Sequence, residues 1–239
     1  LTETIEIKNP KVALVLGGGG SKGFAHVGAI EVLEENNIPI DFIVGSSAGS
    51  AVGALYADNK NIEETKQVLL KAKSNELLEF SLIDSFKMFH SLSSPIKGQA
   101  YENFIFDNMR AKYFSDLKIP LVVVTVDAKT GETFIIKDGP IAPAVRASLA
   151  IPLFMPPVSL YGRTLMDGGV VEPVPVPTAE LFKPKLIIAI NINNSPPKDM
   201  PSNSVDLGYR AFSLSYYTLA QTQAKSANIN IHPDLSGFG

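Results

Sequence analysis

Apolar residues along the chain fall into short continuous runs, alternating with segments whose apolar positions recur at a helical period. KVALVL at 11–16 is one such run, and it ends in four consecutive glycines. From Lys22 to about Glu35, Phe24, Val27, Ile30 and Val32–Leu33 recur every 3.6 residues or so, which predicts a helix stopped by Asn36–Asn37. A second run, IPIDFIV at 38–44, predicts a strand ending at Gly45, and AGSAVGALYA at 48–57 reads as a small-residue helix. Strand, glycine turn, helix, strand, sharp turn, helix is the order expected of a parallel sheet covered by helices.

The remaining pattern extends this plan. A helix is expected at 61–74 and another over ENFIFDNMRAKYF at 102–114, with an amphipathic apolar segment at 77–96 between them. IPLVVVTVD at 119–127 is a β-branched run after a proline and predicts a buried strand, followed by a hairpin strand in GETFIIKDG. APAVRASLA predicts a helix stopped by Pro152, and FMPPVSLYGRTLMDGG carries a turn centred on Gly162 with a short extended segment before Asp167. EPVPVPTAE reads as extended, KLIIAIN at 185–191 as a final buried strand, and 192–204 as a polar loop. A helix over about 205–226 and a short strand, NINI, follow. There is no internal repeat and no clear linker, so a single α/β domain is expected.

Composition narrows the chemistry. A chain of 239 residues with 45% hydrophobic and 19% charged residues has globular composition and length enough for one sizeable core. Without cysteine there is no thiolate nucleophile, disulfide scaffold, iron–sulfur cluster or cysteine zinc site, and three scattered histidines leave little for an imidazole-rich metal centre. A net charge of -3 carries no nucleic-acid footprint. No run of 18 apolar residues suited to crossing a bilayer occurs, which leaves peripheral contact open. The start, LTETIEIKNPK, has no basic or apolar targeting character, and an upstream signal or lipoprotein segment stays open. A cytoplasmic or peripherally membrane-associated protein is the expectation. A nucleophile here must be a hydroxyl, carboxylate or amine.

The glycine turn contains G-x-G-x-x-G as Gly18, Gly20 and Gly23. Glycines permit close backbone approach to a ligand, and the following helix start presents unpaired N–H groups, so an anion or a developing oxyanion is the natural occupant. A dinucleotide site would want an acidic residue ending the next strand, where Gly45-Ser46-Ser47 stands instead. A P-loop would want Gly-Lys-Ser/Thr, and the chain has Ser21-Lys22-Gly23. The third use is an oxyanion hole, which needs a nucleophile beside it.

Gly45-Ser46-Ser47-Ala48-Gly49 is G-x-S-x-G between an apolar strand and a helix, the context in which a strained turn exposes a serine hydroxyl. The competing use of Ser47 is as a plain helix cap. Two parallel strands would end in the glycine turn and in Ser47 on one sheet edge, supplying an oxyanion hole and a nucleophile. Of the acid–base groups, His26 lies in the first helix about one turn beyond the glycines and reads as a structural or hydrogen-bonding residue rather than a base, and His90 and His232 lack motif context. Asp167, uncrowded by Gly168 and Gly169, can serve as base or belong to an ordinary Asp-Gly turn. Spacing along the chain does not bring Asp167 to Ser47.

Three elements in this order resemble the patatin-like phospholipase family: Gly18-Gly19-Gly20-Ser21-Lys22-Gly23, Gly45-Ser46-Ser47-Ala48-Gly49 and Asp167-Gly168-Gly169. GFAHVGAIEVLEE, IDFIVGSSAGSAVGALYA, AVRASLAIPLFMPPV, LMDGGVVEPVPV and NINIHPDLSGF look like bacterial members, so the resemblance runs from about residue 10 to about 235. It implies a three-layer α/β/α fold with a mostly parallel central sheet and a Ser47–Asp167 dyad that uses no histidine. Gly18, Gly19 and Gly20 would supply the oxyanion hole, and neither metal nor cofactor is called for. Ser21, Lys22, Gly23, Gly45, Gly49, Arg146, Ser148, Gly168 and Gly169 would support the site. The implied substrate is a phospholipid or other fatty-acyl ester.

Two departures stand out. Glu172 replaces the asparagine usual in bacterial members; facing inward it would alter local hydrogen bonding or raise the pKa of Asp167, and the alternative is that it points to solvent. Lys22 stands where arginine is common, and keeps the charge without the bidentate fork. The segment 77–96 is expected either as a substrate-facing cap that touches lipid or as core packed over the sheet. A thioesterase or acyltransferase with the same dyad, and a catalytically silent lipid-binding regulatory protein, are the alternatives to a lipid ester hydrolase. Oligomeric state is not legible.

Overall fold

The computed structural model describes residues 7–74, 95–152, 154–196 and 199–235. Nearly all of the expected 77–96 cap therefore lies outside the described residues. Among those described, eight strands form one sheet in the order β5-β6-β3-β2-β1-β7-β8, with β4 paired to β3. β1 (Val12–Leu16), β2 (Phe42–Ser46), β3 (Leu121–Asp127), β7 (Leu186–Ile190) and β8 (Ile229–Ile231) pair in parallel. β4 (Thr133–Ile136), β5 (Val158–Leu160) and β6 (Arg163–Asp167) run antiparallel to their partners. The fold is thus α/β with a mostly parallel central sheet.

Strand residues alternate between two apolar layers. Leu14, Leu16, Ile43 and Val123 face one core, shared with Val52 and Leu55 of α2 (Ala48–Asn59). Ala13, Val15, Val44 and Val124 face a second core, shared with Val176 and Ala179 of α6 (Val176–Glu180) and Ala220 and Ala224 of α7 (Ser204–Ala224). Both faces being covered accounts for the continuous apolar runs that mark these strands in the sequence. The first layer also holds α1 (Ala25–Glu35), α3 (Ile62–Ser74), α4 (Pro95–Asn108) and α5 (Ile141–Ser148).

The expected elements shift where side chains intervene. β2 begins at Phe42 instead of Ile38, because β1 offers pairing only from Val12 onward and Asp41 Oδ2 accepts the Lys11 and Val12 amides, each at 2.7 Å. The helix expected from Lys22 opens as a 3-10 turn over Gly20–Phe24, with Gly20 at φ 60° and Gly23 packed against Ala48. α4 spans 95–108 instead of 102–114, and the Asp58 carboxylate catches the amides of Arg110 at 2.9 Å and Ala111 at 2.8 Å just past its end. The segment expected to be extended through 172–180 contains the short helix α6. There Glu172 Oε2 accepts the Thr178 amide at 3.1 Å, and prolines suit a first helical turn.

The turn from β2 into α2 is packed tightly enough to dictate glycine on both sides. A Cβ on Gly45 would lie 2.6 Å from Ser50 Cα, and one on Gly49 would collide with the carbonyl of Leu16 at the end of β1. Because those obstacles are backbone, relaxation is costly. Gly49→Ala is expected to lower stability by at least about 3 kcal/mol in urea unfolding. A loss under about 1 kcal/mol would show that α2 is not pinned against β1.

Candidate active site

β3 serves as the rail on which two distant residues meet. On it, Ser46 of β2 lies opposite Val124, and Asp167 of β6 lies opposite the next residue, Thr125. β2 and β6 run in opposite directions, so their carboxyl ends reach neighbouring rungs. Ser47 follows at φ 52° and ψ −126°, a strained backbone for a residue with a Cβ and one that lifts its side chain clear of the strand. Its Oγ donates to Asp167 Oδ2 at 2.6 Å, and the Gly169 amide donates to Asp167 Oδ1 at 2.7 Å.

The elbow is bolted from beside it. Ser148, at the end of α5, accepts the Ser47 amide at 2.9 Å and donates to the Val124 carbonyl at 2.7 Å. One hydroxyl thereby fixes the strained residue to the strand that carries the rail. Gly168 is confined in the same place, since a Cβ there would meet the Val124 carbonyl and lie 2.9 Å from Ser46 Oγ.

Both dyad side chains are almost fully enclosed, Ser47 at 3% and Asp167 at 4% exposure. Burial pushes the Asp167 carboxyl from the ordinary 3.8 up to about 7, against the hydrogen bonds from Ser47 and Gly169, which favour the ionised form. Glu172, expected as a possible cause of such a rise, has another role. Its carboxylate accepts Thr133 Oγ1 at 3.0 Å and the Thr178 amide, so it ties β4 to α6.

The glycine turn is held from four sides. The Gly17 amide donates to Ile190 O at 3.1 Å, and the Gly18 amide to Pro173 O at 2.8 Å. His26 Nε2 donates to Gly17 O at 2.7 Å, and Asn193 Nδ2 to Gly18 O at 3.0 Å. Gly18 therefore departs from its expected place in an oxyanion hole, because its N–H is already spent on Pro173. Gly19 and Gly20 carry no such backbone bond among the described residues, and they open the 3-10 turn beside Ser47. Burial holds the His26 imidazole down at about 4, so it is a neutral loop clamp.

From Ser47 an apolar cleft runs between α2, α3 and α4. Gly20 and Ser21 are among its lining residues, and Leu55, Leu69, Phe104, Ile105, Leu149 and Met155 form much of its apolar wall. Arg146 stands behind that wall rather than in it. Its Nη1 donates to Glu102 Oε2 at 3.1 Å, and its guanidinium lies against Gly98, clamping α4 to α5. Lys22 sits half-buried on the 3-10 turn, and Gly23 is buried under α2.

An enclosed serine bonded to an aspartate, beside free amides and an apolar cleft, is an arrangement for acyl transfer. A family model described as Patatin-like phospholipase matches residues 14–180, a stretch that includes the glycine turn, the elbow and Asp167. The chain belongs to the patatin-like phospholipase family. Patatin-like phospholipase domain-containing protein 6 of Homo sapiens is 34% identical over 192 residues, covering 79% of this chain and 14% of that protein. An uncharacterized NTE family protein of Mycobacterium tuberculosis is 32% identical over 205 residues, covering 82% of this chain and 53% of the relative. This patatin-like chain thus spans about half or less of the length of these relatives.

The fold has solved counterparts. VipD from Legionella pneumophila superposes with a TM-score of 0.51 at 16% identity, covering 85% of this chain and 52% of VipD. ExoU of Pseudomonas aeruginosa, solved in complex with SpcU, does so with a TM-score of 0.51 at 16% identity, covering 92% of this chain and 53% of the other. Several residues that shape the patatin-like site lay outside the sequence motifs, namely Asn193, Gln223 and Tyr216. An available signal was the polar pair Asn191 and Asn193 directly after a buried strand. Asn191 Oδ1 accepts both the amide and the side chain of Asn193.

A raised Asp167 pKa has a consequence for stability. The folded chain holds that proton up to about pH 7, whereas an unfolded aspartate releases it near 3.8. Between those values the native state binds more protons, so this group's contribution to stability falls as pH rises and levels off above about 7. Asp167→Asn removes the titration and should flatten that fall in a series of melting temperatures from pH 4 to 8. Parallel profiles for the two proteins would show that Asp167 is not desolvated as described.

Proposed function

We propose that this chain forms one patatin-like catalytic domain that hydrolyses carboxylic esters of lipids, with Ser47 as nucleophile and Asp167 as base. The observation that carries the reading is the 2.6 Å bond between Ser47 Oγ and a buried carboxylate whose pKa stands near neutrality. A base is most effective when its pKa lies close to the working pH.

In the first half-reaction the Asp167 carboxylate takes the Ser47 hydroxyl proton as Oγ bonds to the ester carbonyl carbon. The amides of Gly19 and Gly20 donate to the tetrahedral oxyanion, and the acyl chain lies in the apolar cleft. Collapse breaks the bond to the alcohol oxygen, which leaves with the proton from Asp167. In the second half-reaction Asp167 takes a proton from water as the water oxygen bonds to the acyl carbon, then returns that proton to Ser47 Oγ as the acyl–Oγ bond breaks and the fatty acid departs. His26 has no part in these steps, because its Nε2 is engaged with Gly17 O.

Among the described residues no helix is long and apolar enough to cross a membrane. Access to lipid is therefore proposed through peripheral contact at the mouth of the cleft, with 77–96 as the segment to test.

A fluorophosphonate should label Ser47 covalently and fail to label Ser47→Ala. Asp167→Asn should lower p-nitrophenyl ester hydrolysis by about a thousandfold or more while the fold is retained. In the wild type, kcat/KM should rise with pH through about 7 as Asp167 ionises. Comparing phospholipids, lysophospholipids, triacylglycerols and acyl thioesters against Ser47→Ala identifies the substrate class. Label retained on Ser47→Ala, or near-normal rates in Asp167→Asn, would overturn the assignment.

A further inference from the structure

The acyl cleft leaves one side of the dyad unexplained. The cleft lies on the sheet face occupied by α2, α3 and α4, whereas α7 packs through Ala220 and Ala224 on the opposite face. From that opposite side α7 directs Tyr216 at the catalytic centre. A Cβ on Gly169 would lie 2.6 Å from the Tyr216 hydroxyl and 2.9 Å from Asp167 Oδ1. A Cβ on Gly18 would collide with the same hydroxyl and lie 2.9 Å from Ser47 Cβ. The phenol oxygen therefore stands near both members of the dyad, on the Oδ1 side of Asp167, in space kept open by two glycines.

Its placement is built in. Gln223 lies two helical turns beyond Tyr216 and so on the same stripe of α7. It accepts the Val174 amide at 3.2 Å and donates to Val171 O at 2.9 Å, fastening α7 to the segment that follows Asp167. Phe212, one turn earlier, holds the tyrosine ring with centroids 6.0 Å apart. Burial first, then the nearby charge of Asp167 and the neighbouring Tyr209, push the phenol well above its ordinary 10. It stays protonated at any working pH and is a donor there.

The geometry of acyl transfer says what it would donate to. Around the tetrahedral carbon, one direction is taken by Ser47 Oγ, one by the oxyanion on Gly19 and Gly20, and one by the acyl chain in the cleft. The fourth belongs to the leaving alcohol oxygen, which must face Asp167 to receive its proton. That is the side on which the phenol stands. We infer that Tyr216 is a further catalytic residue, hydrogen-bonding the leaving alcohol oxygen as its bond to the acyl carbon breaks. The phenol keeps its proton throughout: Asp167 supplies the one that the alcohol carries away. The match to the family model ends at residue 180, short of Tyr216.

This inference rests on the ester hydrolase reading, and its test separates the two. Tyr216→Phe removes the hydroxyl alone. The measurement is kcat/KM, which reports acylation, for two lauroyl esters that yield the same acyl-enzyme. Monolauroylglycerol has a poor leaving group, and p-nitrophenyl laurate a good one that needs no donor. The variant should slow by about tenfold or more on the glycerol ester and by less than about twofold on the p-nitrophenyl ester. Equal slowing on both would mark Tyr216 as structural or as acting on Asp167, and no slowing on either would remove it from the reaction. Both results overturn the inference and leave the hydrolase reading standing. So does a wild type active on the p-nitrophenyl ester and inert on the glycerol ester, since the site would then not handle an alkyl alcohol. A wild type inert on both, with Ser47 unlabelled by fluorophosphonate, overturns the hydrolase reading itself and this inference with it.

Discussion

A hydrogen bond of 2.6 Å between Ser47 Oγ and Asp167 Oδ2 joins residues 120 apart in the chain, and much of the architecture serves to let it form. Neither partner could reach the other from a loop with the same precision. β2 and β6 approach along β3 from opposite directions and stop at consecutive rungs, so backbone pairing sets the distance to within a side chain's length. The Ser148 hydroxyl then links the Ser47 amide to the β3 carbonyl one residue before Thr125, which holds the strained elbow against relaxation. Enclosing that bond also raises the pKa of Asp167, because removing water penalises the charged carboxylate more than two hydrogen bonds favour it. Geometry and proton affinity thus arise from one act of packing.

Close backbone approach is the second constraint, and it explains which glycines matter. Gly49 lies against the end of β1, Gly168 against the carbonyl of Val124, and Gly18 and Gly169 against the hydroxyl of Tyr216. In each case the obstacle to a side chain belongs to the catalytic surroundings themselves. The turn after β1 is further restrained by His26 and Asn193, whose side chains occupy the carbonyls of Gly17 and Gly18. A loop without side chains would otherwise be the softest part of the site. Two buried polar residues stiffen it.

The sheet also divides the site into halves. One face carries the apolar cleft, whose α4 wall is held by the ion pair between Arg146 and Glu102. The other carries α7, fastened by Gln223 to the segment after Asp167. Residues far from the dyad in sequence, on separate helices, therefore flank it from the two faces of the sheet.

Much of the plan was legible from residue order. Apolar runs located β1, β3 and β7, because strands covered on both faces have no polar alternation to disguise them. Glycine-rich turns after two such runs marked the sheet edge, and the G-x-S-x-G context named Ser47 as the residue to watch. Where short-range patterns misjudged a boundary, a long-range contact was responsible: Asp41 at the start of β2, Asp58 past the end of α4, Glu172 at the start of α6. The pairing of Ser47 with Asp167, the diversion of the Gly18 amide to Pro173 and the arrival of Tyr216 from α7 had no local signature. Local sequence determines backbone preference and which residues are apolar, so it could name the elements and the reactive groups. Which group stands 2.6 Å from which is set by strand order, register and helix packing, and only the folded chain decided it.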